Sequence, residues 1–299
     1  MAERFYYGGQ AVLEGVMMRG QKAAVTVVRR PDGELAADTR MLSAIYTGRM
    51  RKSPLLRGII VLVEAMVLGV RSLFYSANVS LEEEGEEVSG PMVWLMVIAS
   101  LALAVGLFFI APLFLTRLLN ISSSLVFNLV DGVIRVAIFI AYLKVMALLP
   151  DIKRVFAYHG AEHMTINAYE AGVPLEVEAI RKYGTAHVRC GTSFLFAVLI
   201  ISIVVFALIG LHSPLLMVLS RLVLIPVIAA LGYEVVYFSA RYTGNGLVRA
   251  ILAPGLWLQS LTTREPDDTQ LEVALSALKR VMEIDGEQES PVGCGNHCT

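Results

Sequence analysis

The chain has 299 residues, of which 56% are hydrophobic and 17% are charged, and its mean hydropathy is +0.64. Soluble globular proteins are less apolar and contain about 25% charged residues, so this composition predicts a membrane protein. The formal net charge of −1 gives no bulk electrostatic reason to bind nucleic acid. The three cysteines are too few for a disulfide framework. We therefore expect membrane lipid as a partner and no nucleic acid.

Residues 1–53 form the most soluble-looking segment, which we predict to contain β-structure. Residues 24–28 (AVTVV) are typical of a strand. The sequence Pro31-Asp32-Gly33 then fits a hairpin turn, because Pro presets φ and Gly adopts a positive φ. The glycine-rich residues 8–20 lack the Gly-Lys-Ser/Thr pattern of a phosphate-binding loop. They are either a tightly turned structural segment or a loop that lines a site.

Four apolar stretches are long enough to cross a bilayer, since about 20 apolar residues suffice. They are Met92–Leu115, Ile121–Leu149, Ser193–Leu211 and Leu215–Phe238. Residues 54–76 are also mostly apolar, but their interspersed charges favour an interfacial helix. An acidic linker follows this helix, and the segment of helix and linker ends at residue 90. The sequence therefore predicts a mainly α, polytopic helical membrane protein. It has about four transmembrane helices, two within 91–149 and two within 193–240, plus interfacial helices and a small N-terminal β-containing segment.

The distribution of Lys and Arg predicts the orientation of these spans. Basic residues are plentiful before the first span, in the loop 150–192 and after the fourth span, whereas the two short turns between spans hold only Arg117. The positive-inside rule then places the loop and both termini in the cytoplasm, as expected for a multi-pass membrane protein. Residues 241–299 are expected to form an interfacial segment, a cytoplasmic helix with an apolar stripe at 270–282, and a flexible tail.

The loop 150–192 contains the most informative motif, His159-Gly160-Ala161-Glu162-His163. Two histidines four residues apart lie on one helical face, within reach of a single metal ion. The order His-x-x-Glu-His is that of reversed zincins, in which the Glu is the general base, and we predict this catalytic role for Glu162. Glu170 follows His159 by about three turns and returns to the same face. It is a further candidate ligand.

His187 and Cys190 stand at the other end of the same loop, directly before the third span. Imidazole and thiolate are preferred zinc ligands, so the two ends of the loop are expected to meet around Zn or another divalent transition metal. A closed set of His159, His163, His187 and Cys190 would be structural, whereas three ligands would leave a position for catalysis. The alternative is that these side chains are hydrogen-bonded loop histidines and a small buried cysteine.

Charged residues also occur inside the predicted spans. Asp131 and Arg135 are spaced to pair on one helix, and Arg221 and Glu234 lie in the fourth span. Such residues are either functional or hold helices together. The tail Cys294–Cys298 contains two cysteines and a histidine, but it has no surrounding structure to organise a site.

Four stretches in this order resemble the bacterial YqhQ-type family: GGQAVLEGVMMR (8–19), HGAEH (159–163), HVRCGTSF (187–194) and LTTREP (261–266). The resemblance extends over nearly the whole chain to residue 283 and leaves out the tail. The family is a domain of unknown function whose members are often described as metal-dependent enzymes. It implies metal dependence at the His-x-x-Glu-His and His-x-Arg-Cys positions and names no substrate.

Two classes of function follow from these observations. The first is a zinc-type membrane hydrolase that acts at the cytoplasmic membrane surface on a peptide or lipid-linked substrate, with Glu162 moving the proton. The second is a non-enzymatic transporter, channel or scaffold in which the metal has a structural role and fixes the cytoplasmic loop. A homo-oligomer is a further possible partner arrangement. The number of protein ligands around the metal distinguishes the two.

Overall fold

The computed structural model describes residues 5–48, 53–54, 56–82, 90–210, 213–241 and 245–286. These ranges are mainly helical, with one small antiparallel sheet at the N-terminal end. The strands are β1 (Gly8–Val12), β2 (Gly15–Arg19), β3 (Ala23–Arg29) and β4 (Leu35–Met41). The helices are α1 (Ala44–Thr47), α2 (Leu56–Leu81), α3 (Gly90–Val105), α4 (Ala111–Leu118), α5 (Ser124–Met146), α6 (Pro150–Ala171), α7 (Val177–Ile180), α8 (Gly191–Ile209), α9 (Pro214–Val223), α10 (Ile225–Arg241), α11 (Gly246–Thr262) and α12 (Asp268–Asp285). A π-helical turn, Gly106–Ile110, joins α3 to α4.

The sheet is a meander with the strand order β1-β2-β3-β4. The predicted hairpin is confirmed, because β3 and β4 are joined through Gly33, whose φ is +91°. The glycine-rich stretch forms a second hairpin, β1 with β2. Alternate residues of β3 face opposite layers: Val25 and Val27 belong to the core shared with α6 and α12, while Thr26 donates to or accepts from Ser72 of α2. Both faces of the sheet are therefore covered by helices.

The C-terminal helix α12 packs against the sheet and α6 with the predicted apolar stripe. Asp267 caps its N-terminus in a capping box with Gln270. The apolar side chains of the stripe are at most 1% exposed and lie in the shared core: Leu271, Ala274, Leu278 and Val281. The apolar face of α12 is therefore buried against the sheet and α6, as expected for an amphipathic helix.

Within the described ranges, four helices are long and apolar enough to cross a membrane, and three coincide with predicted spans: Gly90–Leu118, Ser124–Met146 and Gly191–Ile209. The predicted fourth span corresponds to two helices, α9 and α10, which are bent by 46° and together are long and apolar enough to form one broken span or a re-entrant loop. The fourth helix of sufficient length is α2, which we predicted to be interfacial. One face of α2 packs on the sheet through Leu68, Ser72 and Val79. Its other face carries an exposed apolar stripe.

Ion pairs link several of the apolar helices in the described part of the chain. The predicted pair of Asp131 with Arg135 is confirmed at 2.6 Å, and Arg221 of α9 approaches the same carboxylate oxygen at 3.4 Å. Glu234 of α10 forms a bidentate ion pair with Arg57 of α2. These contacts fasten α9 to α5 and α10 to α2.

Candidate metal centre

The His-x-x-Glu-His motif lies well inside α6 and not in an irregular loop. The helix begins with Pro150 at its first turn, where a missing N–H has no cost, and ends before Gly172, whose φ of 73° suits glycine. His159 and His163 are one turn apart, and their ring centroids lie 4.4 Å from each other. Glu162 directly precedes His163. The helical spacing that the sequence predicted is therefore present.

Both histidine rings are oriented by backbone carbonyl groups. His159 Nδ1 lies 2.8 Å from the carbonyl oxygen of Thr262, and His163 Nδ1 lies 2.6 Å from that of Thr185. A carbonyl oxygen only accepts, so each Nδ1 must carry the ring proton and donate it. In the neutral rings, each Nε2 then holds a lone pair. This is the tautomer in which a histidine binds a metal ion through Nε2.

Cys190 completes a group of three donors. It is buried as the N-cap residue of α8, and its Sγ accepts the Thr192 N–H at 3.3 Å and lies 3.3 Å from His159 Nε2. One ligand atom from each of His159, His163 and Cys190 lies within 4.8 Å of the others. Two imidazoles and a thiolate are a donor set typical of zinc. These three side chains fit a divalent transition metal and leave one coordination position to another ligand.

Glu162 is buried beside this group, with an exposed fraction of 5%. Its side chain packs against Gly9 of β1, where a Cβ atom would lie 2.9 Å from Glu162 Cγ. Within the described ranges, no hydrogen bond or ion pair reaches the Glu162 carboxylate. Its position next to His163 favours a chemical role over a structural one.

His187 and Glu170 lie next to the group of three donors but outside it. The His187 ring is 5.6 Å from that of His163. The side-chain amide of Gln259 accepts a hydrogen bond from the His187 backbone N–H and donates one to the His187 carbonyl oxygen. Glu170 forms an ion pair with Arg189 and lies 3.5 Å from His187 Nε2. Burial raises the pKa of the Glu170 carboxyl, but His187 and the Arg189 charge outweigh it and lower that pKa below its ordinary value. Glu170 thus serves as a partner for Arg189 in this arrangement.

Several residues of the site were not found by sequence reasoning. The carbonyl groups of Thr185 and Thr262 orient the histidines, Gln259 positions His187, and Gly9 makes room for Glu162. Thr262 and Gly9 do lie within two of the four stretches that carry the family resemblance. That resemblance marked the stretches without assigning a role to either residue. The tail Cys294–Cys298 lies outside the described residues.

Comparison with known proteins places the chain in a family. Residues 53–284 match the family described as "Protein of unknown function (DUF1385)", and the chain belongs to that family. It is similar to the "Uncharacterized protein YqhQ" of Bacillus subtilis (strain 168), with 33% identity over an alignment that covers 95% of this chain and 94% of that protein. No solved structure matches significantly. The resemblance to the YqhQ-type family is confirmed, and neither description gives an activity or a cofactor.

Proposed function

We propose that this protein is a metal-dependent hydrolase of the bacterial inner membrane and that His159, His163 and Cys190 hold the metal ion. The observation that carries the proposal is the orientation of the two imidazole rings. Each Nδ1 is committed to a backbone carbonyl group, which leaves the Nε2 lone pairs for a metal, and His159 Nε2 is already beside Cys190 Sγ. Zinc, or another divalent transition metal, suits these donors.

Glu162 supplies the acid–base chemistry in this proposal. A divalent transition metal, when bound, supplies Lewis acidity that activates water for hydrolysis near neutral pH. The unpartnered Glu162 carboxylate takes up the proton of the attacking water and delivers it to the leaving group. Burial of Glu162 and His163 keeps bulk water away from this proton transfer. The substrate is a peptide or a lipid-linked molecule.

The apolar helices support a location in the membrane. α3 has no buried residue, and large apolar side chains such as Trp94, Leu101 and Leu103 are exposed on it. Such a surface is stable in lipid but not in water. The abundance of Lys and Arg before α3 and between α5 and α8 favours a cytoplasmic position for the sheet, α6 and the metal centre. Both termini lie on the same side in this arrangement.

A structural metal site is the second candidate, and the position of His187 favours it. The ring of His187 is adjacent to that of His163, so a small rearrangement would supply a fourth protein ligand. A closed site of four protein ligands holds a fold together without catalysis. The protein would then be a transporter, channel or scaffold.

Elemental analysis and X-ray absorption of the purified, full-length protein test both candidates. We expect about one transition metal ion per chain, lost in a His159→Ala/His163→Ala double variant. Lys153→Ala, an exposed change on the same helix, serves as the matched control and keeps the metal. A shell of two nitrogen ligands, one sulfur and a lighter oxygen ligand supports the hydrolase. Three nitrogen ligands with one sulfur support the structural site, and a double variant that retains metal overturns both.

A further inference from the structure

A cavity of about 320 Å³ lies between the sheet, α2, α8 and α10. Its volume is within the range of small-molecule binding sites. Gly9 and Met17 contribute from the sheet, and Leu62 and Ala65 contribute from α2. Phe194 and Tyr233 line the cavity from α8 and α10. Most of the wall is therefore apolar.

The cavity adjoins the candidate metal centre at two points. Cys190 is part of the cavity wall, and its Sγ lies 3.3 Å from His159 Nε2. Gly9 is part of the wall as well, and it also packs against Glu162. A molecule in the cavity would therefore end beside a metal ligand and close to the proposed general base.

The charged groups on the wall are already paired. Arg19 binds Glu64 at 2.9 Å, and both residues line the cavity. Arg189 is held by Glu170 and lies over the ring of Tyr6 at 4.0 Å. Charged groups that are already paired attract a charged ligand only weakly, whereas burial of an apolar ligand against an apolar wall is favourable. The interior of the cavity is therefore matched to an uncharged hydrocarbon chain.

The outer surface of α2 carries an apolar stripe that is suited to contact with membrane lipid. Five exposed apolar side chains follow the spacing of one helical face: Leu56, Ile59, Val63, Met66 and Leu73. A helix with this stripe lies in the interface of a bilayer and buries the stripe among acyl chains. Ala65 faces the cavity while its neighbour Met66 belongs to the stripe. Ala65 is itself exposed, so the cavity opens to its surroundings beside the stripe.

We propose that this cavity binds the hydrocarbon chain of a membrane lipid and presents the polar end of that lipid to the metal centre. The proposal rests on the proposed hydrolase and narrows its substrate to a lipid-type molecule. It commits to an acyl or isoprenyl chain because a peptide backbone would bring many polar groups, whereas most of this wall is apolar and the charged groups on it are already paired.

Photolabelling of the full-length protein in nanodiscs tests the proposal. The probe is a phosphatidylethanolamine with a diazirine in its acyl chain, diluted into phosphatidylcholine. Met17 is the readout, because it lines the cavity but lies buried in β2, away from the stripe. We expect labelling of Met17 in the wild type and its loss in Ala65→Trp, which fills the cavity. Met66→Trp, on the outer stripe, is the matched control and retains the labelling.

The outcomes separate this proposal from the proposed hydrolase. Labelling of Met17 requires no metal, so it persists in His159→Ala/His163→Ala, whereas the metal content reports on the metal centre alone. Label confined to Val63 and the rest of the stripe in the wild type overturns the proposal, as does equal labelling of Met17 in Ala65→Trp. An apolar peptide that carries photo-leucine and labels Met17 when the lipid does not assigns the cavity to peptides and also overturns it.

Discussion

Gly160 of α6 packs directly against the backbone carbonyl group of Arg264, with no room for a side-chain carbon between them. The same segments are joined by a hydrogen bond from the Arg264 N–H to the Phe156 carbonyl oxygen at 2.9 Å. This close approach brings the carbonyl group of Thr262 to His159 Nδ1. The glycine inside the His-x-x-Glu-His motif thus allows α6 and the end of α11 to meet.

Gly160→Ala is expected to separate these two segments. The added methyl group overlaps the Arg264 carbonyl oxygen, and overpacking of this kind costs about 1–3 kcal/mol. We expect a lower melting temperature in thermal unfolding and weaker metal binding in a chelator competition. Gly184→Ala is the control, because a Cβ there meets nothing within 4 Å. Equal behaviour of the two variants would contradict the importance of this contact.

Cys190 and Glu170 are expected to respond differently to conservative replacement. Cys190→Ser removes the sulfur donor beside His159, so metal content after dialysis against a chelator should fall. Glu170→Gln should leave the metal content unchanged, because Glu170 is paired with Arg189. If Glu170→Gln releases metal and Cys190→Ser does not, the ligand set includes Glu170 and the assignment of Cys190 is wrong.

Glu162→Gln tests the general base. The amide is nearly isosteric but cannot take up a proton, so hydrolysis of a fluorogenic medium-chain acyl ester should fall by about 10²-fold or more. Metal content should stay at the wild-type level. A variant that keeps its activity contradicts the catalytic role. One that instead loses about 10 to 100-fold in metal affinity shows that Glu162 orients a ligand.

Asp131→Asn tests the buried charges of α5 and α9. The carboxylate is shared by Arg135 and Arg221, and all three side chains are at most 2% exposed. Without it two buried guanidinium groups face each other, and removal of one partner from such a network costs about 3–5 kcal/mol. Thermal unfolding in detergent should show a large loss, whereas Arg117→Gln on an exposed position should show little. Wild-type stability of Asp131→Asn would contradict this structural role.

Local patterns predicted the elements whose signals are local. The turn at Gly33 follows from the preferred φ of two residue types, and the burial of α12 follows from its periodicity. The spacing of His159 and His163 likewise required only the geometry of one helix. Each of these features depends on residues that are close in the sequence.

The remaining features depend on contacts that leave no local signal. Every residue has a carbonyl group, so nothing in the sequence marks those of Thr185 and Thr262 as the histidine partners. Glu170 was placed on the correct face of α6, but Arg189 approaches it from a distant segment. The apolar composition of α2 suits both a span and an interfacial helix. Its packing on the sheet through Ser72 is a tertiary contact.

The contribution of Thr262 to the site has a consequence for biosynthesis. Thr262 is the last residue of α11 and lies C-terminal to the helices that are long and apolar enough to span a membrane. A nascent polypeptide therefore contains His159 and His163 long before it contains the acceptor for His159 Nδ1. The orientation of His159 is therefore complete only after Thr262 has been synthesised. Under the proposed metal assignment, insertion of the apolar helices into a membrane would precede metal binding, and a chain that ends before Thr262 would lack this orienting contact for His159.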